Sequence, residues 1–196
     1  SLSGELLWLQ QVPQPPPDDS IRIVGVAGFI GRDLVLTGSR GMWKEGRHRT
    51  PKVAYRWSLG SSHLLRLVSI PGDEIQMHSV GGQGLAFFSP LFKREGFITA
   101  SGTHIFAADN AQFEVLTISE QGEQRQLSVN WSSPKVTGRR IRDAFDSLHA
   151  EGQATDKSLM KVLRAEAPSH APVIAAMSAD ESGHLWVKPV PNNNWW

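Results

Sequence analysis

Residues 96–109 (GFITASGTHIFAAD) and 173–187 (VIAAMSADESGHLWV) follow one plan: an apolar run, a tight turn holding a glycine, and a second apolar run. A fainter copy begins at residues 21–27 (IRIVGVA) and continues at 31–36 (GRDLVL). β-branched and aromatic residues favour extended backbone, and glycine supplies the turn. A strand–turn–strand unit that recurs along a chain points to a radial repeat of small sheets rather than one closed sheet.

The unit at 94–129 is the most complete. Apolar runs at 97–100 and 104–108 are followed by an alternating run at 113–118 and a return at 124–129. Four antiparallel strands over ~40 residues make one propeller blade. The same order fits upstream, with strands at 21–27, 33–37, 52–59 and 63–69, and residues 5–12 read as the outer strand of a preceding blade. Residues 173–179 and 184–190 read as the first two strands of another. The expected fold is therefore all-β: a β-propeller fragment of two complete and two partial four-stranded blades, one partial domain over 1–196 with both ends inside blades.

Residues 134–172 have a different texture. Thr137 is a suitable N-cap. Ile141, Ala144, Phe145 and Leu148 then recur at helical spacing, and Gly152 ends the stripe. Thr155 or Asp156 opens a second stripe of Leu159, Val162 and Leu163, closed by Pro168 and Pro172. This predicts a helical hairpin inserted between blades. With 134–172 removed, Gly102 and Gly183 stand about one blade of ~40 residues apart.

Several stretches resemble bacterial six-bladed β-propeller proteins of the NHL/TolB-like type, in particular an extracytoplasmic group. They are 31–36 (GRDLVL), 49–57 (RTPKVAYRW), 108–115 (ADNAQFEV), the insertion opening at 134–137 (PKVT), and 183–187 (GHLWV). The resemblance covers most of the chain from Ile21 onward. It implies a C-terminal fragment of such a propeller and a periplasmic or secreted location, and it brings no catalytic residues with it.

A meander alternates its turns between two ends. The short turns at 28–32, 60–62, 101–103, 119–123 and 180–183 belong to one end. The long segments at 13–20, 38–51, 70–91 and 130–172 belong to the other, where lengthened loops do binding work. The plain alternative is that long connectors merely tolerate insertion. The segment from Arg40 to Arg49 holds four cations, one anion and Trp43. Trp43, Lys44, Arg47, His48 and Arg49 suit an anion, a sugar or a single strand of nucleic acid by charge plus stacking. The bland reading is a solvated loop. Net charge is only +1, which gives no wider basic field and argues against a nucleic-acid partner. Asp109 and Asn110 sit in a connector at the same end. They are either turn-forming residues or further ligand contacts.

Chemistry is less well marked. There is no cysteine, hence no thiol catalysis and no thiolate metal site. The seven histidines show no metal-ligand spacing, so neither a metal nor a cofactor is expected. The Gly-rich run at 80–84 lacks the Lys-Ser/Thr of a phosphate loop, and no Gly-x-Ser-x-Gly is present. No apolar run is long enough to span a bilayer. These readings favour a non-enzymatic recognition module for a protein, small-molecule or glycan ligand on the long-loop end. The rival is a propeller hydrolase or lactonase-like enzyme with a metal in its central channel.

Overall fold

The structure, a computed structural model, describes residues 10–16, 20–42, 44–79, 84–150 and 157–190. Eleven strands and two helices follow in the order β1 (Arg22–Ile30), β2 (Asp33–Ser39), β3 (Gly46–Trp57), β4 (Leu65–Ser79), β5 (Leu85–Phe88), β6 (Gly96–Ser101), β7 (His104–Asp109), β8 (Glu114–Ser119), β9 (Gln124–Ser128), α1 (Gly138–Ala150), α2 (Lys157–Ala165), β10 (Ile174–Ala179) and β11 (Leu185–Pro189).

Strands β1 to β5 form one antiparallel meander and β6 to β9 a second. The two are joined by a parallel pairing of β1 with β6, where Gly28 stands opposite Ala100. The result is one nine-stranded mixed sheet in the order β5-β4-β3-β2-β1-β6-β7-β8-β9, beside a two-stranded sheet of β10 and β11. This overturns the propeller expectation. The first meander has five strands instead of four, the two meanders share one sheet instead of forming separate blades, and the sheet is not closed.

The physical reason lies at the junction. Gly28 has φ +136°, and a Cβ built on it would lie 2.0 Å from the carbonyl oxygen of Ala100. A residue without a side chain lets the two backbones meet there. Next to this contact the amide of Gly31 donates to the carbonyl of Gly102 at 2.9 Å.

Residues of the two meanders share one core cluster. Ile30, Val35 and Ala54 from the first pack with Ala100, Ile105 and Ile118 from the second. The opposite face of the second meander holds Phe106, Ala108 and Val115 against Val173 and Ile174, which brings the β10–β11 hairpin onto it. β7 is therefore covered on both sides, and residues 105–108 are all buried. The helices close a smaller cluster of Leu91, Phe145 and Leu163. Thr137 caps α1, its hydroxyl accepting from the amide of Arg140 at 3.3 Å.

The strands at the long-connector end are longer than the repeats suggest. β3 and β4 continue past the facing pair Pro51 and Pro71, where the register shifts, and pair Gly46–Arg49 with Glu74–Met77. Prolines lack the amide a ladder needs and so read as strand ends, yet a register break accommodates both.

Candidate functional site

The short turns meet at one end of the molecule. Arg56 on β3 ties the start of β2 to the β8–β9 turn, donating to Asp33 and, at 3.1 Å, to the carbonyl of Glu120. Burial pushes the Asp33 carboxyl up, but hydrogen bonds from Arg56 and Ser58 outweigh it and hold the group below its usual range. At the hairpin tip of β10–β11, Asp180 accepts from the amide of His184 at 2.9 Å and from the indole of Trp186 at 3.1 Å. These bonds keep its carboxyl low. Such contacts hold turns together.

The opposite end gathers the long connectors. Arg47 on β3 and Glu74 on β4 form a two-point ion pair, Nε to Oε1 at 2.7 Å and Nη2 to Oε2 at 2.8 Å. The Glu74 side chain is only 9% exposed. Its Oε2 also accepts from the backbone amide of Arg94 at 3.0 Å. Burial raises the Glu74 carboxyl, and the Arg47 fork, the Arg94 amide and both guanidinium charges more than reverse that, so it stays ionised below the ordinary range. Arg47 reaches across to the carbonyl of Glu166, just past α2, at 2.8 Å.

Around this pair lies a cavity of about 470 Å³ lined by Arg47, Glu74, Phe92, Arg94, Ser133 and His170, with neighbouring backbone. His170 is placed by a short antiparallel bridge to Lys135, flanked by the Val136 amide on the Ser169 carbonyl at 2.9 Å and the Ala171 amide on the Pro134 carbonyl at 2.8 Å. Arg94 is exposed, and its guanidinium makes no hydrogen bond among the described residues. Arg47 is neutralised by Glu74, so Arg94 leaves the cavity with an excess positive charge. The Ser133 hydroxyl is donated to the Ala171 carbonyl, and Arg47 is held by Glu74 and the Glu166 carbonyl, so the Arg94 guanidinium and the His170 imidazole are what the space offers an oxyanion.

The residues singled out from the sequence divide here. Trp43 lies outside the described residues. Lys44 and His48 fold back on their own turn, His48 Nε2 donating to the carbonyls of Lys44 at 2.8 Å and Glu45 at 3.0 Å. Arg47 lines the cavity. Arg49 is fully engaged: it meets Asp109 at 2.8 and 3.0 Å and the carbonyl of Gly72 at 2.9 Å. Asn110 is 2% exposed, accepting from the Glu95 amide at 2.8 Å while its own carbonyl takes the Val173 amide at 2.8 Å. Arg49, Asp109 and Asn110 thus fasten β3, β7 and β10 to one another. Glu74, Arg94 and Ser133 were not picked out from the sequence, and His170 only as lacking metal spacing. The alternation Glu74, Gln76, His78 was the available signal, since period two puts all three on one face of a strand.

Among the described residues no three of His, Asp and Glu stand close enough to hold a metal ion. No described helix is long and apolar enough to cross a membrane. No protein-family model matches the chain, and no curated protein or solved structure matches it.

Proposed function

We propose that this protein is a binding module, acting without catalysis, that recognises an oxyanion at its long-connector end. The observation behind this reading is the cavity in which Arg47, Arg94 and His170 surround a single carboxylate that is already committed to Arg47. The Glu74 and Glu166 contacts hold Arg47 in the cavity wall before any ligand arrives, so little order has to be gained there on binding. Arg94 supplies the uncompensated charge. The surrounding locks, Arg49 on Asp109 and Asn110 on Glu95, hold the walls in one geometry.

Titration calorimetry with inorganic phosphate tests the reading. Arg94→Gln weakens binding by about tenfold, the worth of a charge-assisted hydrogen bond. Arg125→Gln, on the outer strand β9 and 84% exposed, leaves binding unchanged. Equal affinities for the wild-type chain and Arg94→Gln would refute it.

A further inference from the structure

A second cavity, of about 550 Å³, adjoins the first between α1 and the ends of β6 and β10. Leu91, Ala144, Leu148, Ile174 and Val190 supply its apolar wall. Most of its polar groups already have partners, the Ser147 hydroxyl donating to the Asp143 carbonyl at 3.1 Å. Lys93 pairs with Glu95 at 2.6 Å, and Asn110 is turned to backbone. What this compartment offers a ligand is therefore apolar surface, while the first offers an unneutralised guanidinium.

Phe92 and Pro172 line both compartments. Phe92 has φ +52°, a left-handed conformation that is unusual for a bulky aromatic residue and recurs at ligand clamps. Its ring packs against the small cluster of Leu91, Phe145 and Leu163 rather than the main core. Phe92, with Pro172, stands where the polar compartment meets the apolar one.

We propose that the two cavities form one site for a small amphipathic anion, with its oxyanion head on Arg94, its apolar body against Leu148, Ile174 and Val190, and Phe92 as the partition. This rests on the oxyanion reading and adds the class of ligand. The head alone would find charge but little area. The tail alone would find area but nothing to fix its orientation.

The test compares acetate, decanoate and inorganic phosphate by calorimetry on the whole chain, with decanoate kept below its aggregation threshold. Decanoate binds at least about 100-fold tighter than acetate, since several methylenes leave water. Ser147→Trp, at an exposed α1 position on the rim of the apolar compartment, removes that advantage and leaves phosphate affinity unchanged. Circular dichroism checks that the variant folds. Nuclear Overhauser contacts from decanoate methylenes to the methyls of Leu148 and Val190 give a readout on the unmodified chain. If phosphate binds through Arg94 while decanoate gains nothing over acetate and shows no such contacts, the amphipathic site is refuted and the oxyanion reading stands. If decanoate and phosphate both bind Arg94→Gln as tightly as wild type, the oxyanion reading falls, and this proposal with it.

Discussion

Replacing Gly28 with alanine would put a methyl carbon 2.0 Å from the carbonyl oxygen of Ala100 and 2.9 Å from its carbonyl carbon. Both atoms are backbone, so no rotamer change relieves the contact. Relief requires β1 and β6 to part by roughly 1 Å or more. That separation breaks the junction between the meanders and strains the adjacent bond from the Gly31 amide to the Gly102 carbonyl. The φ of +136° adds about 1–2 kcal/mol for a residue with a side chain. One backbone hydrogen bond adds about 1 kcal/mol. The sum is about 2–3 kcal/mol, a large part of the ~5–15 kcal/mol that stabilises a domain. Gly25→Ala is the control. Its nearest neighbour would be the Thr37 hydroxyl at 3.3 Å, and the expected loss is under ~1 kcal/mol. Urea unfolding followed by tryptophan fluorescence gives the difference, and hydrogen exchange at the Gly31 amide reports the junction itself. A Gly28→Ala chain within about 0.5 kcal/mol of wild type, with Gly31 exchange unchanged, would refute the reasoning.

Three further outcomes follow from the same contacts. Arg49→Met removes the fork on Asp109 and the bond to Gly72; urea unfolding should show a loss of about 2–3 kcal/mol, and a double-mutant cycle with Asp109→Asn a coupling of about 1–2 kcal/mol. Glu74 ionises below its ordinary value near 4.5, so its contribution to stability is complete above that pH and is lost as pH falls through the lower folded-state value; Glu74→Gln should flatten the acid limb of a stability–pH profile and leave the neutral limb level. Deleting 137–168 and joining Val136 to Ser169, already hydrogen-bonded at 2.9 Å, should keep the β signal in circular dichroism and weaken phosphate binding, since Arg47 loses the Glu166 carbonyl; collapse of the sheet would show the helices to be part of its core.

Local patterns were legible and partnerships were not. The stripe Ile141, Ala144, Phe145, Leu148 marks α1, and Thr137 marks its cap, because both signals lie within a few residues of each other. The turn glycines Gly31, Gly102 and Gly183 mark hairpin tips for the same reason. Gly28 looked like one more turn residue; its role depends on Ala100, over 70 positions away, and periodicity says nothing about such a partner. Pro51 and Pro71 hid the far halves of β3 and β4, so Arg47 and Arg49 were assigned to a loop when they stand on a strand. That error also concealed Glu74, which is opposite Arg49 in register and bonded to Arg47. Asp109 and Asn110 carry a turn signal, and Asp109 does accept from the Ala111 amide, but their other bonds run to Arg49, Glu95 and Val173, partners that no local pattern names.

The deciding measurement is where an anion meets the chain. Nitrogen-edited spectra of the guanidinium Nε–Hε groups, recorded as phosphate is added, follow each arginine separately. Arg94 is expected to shift and saturate at one affinity, while Arg49 and Arg56, held by Asp109 and Asp33, stay still. Shifts spread over the exposed arginines without saturation, or none at Arg94, would contradict it.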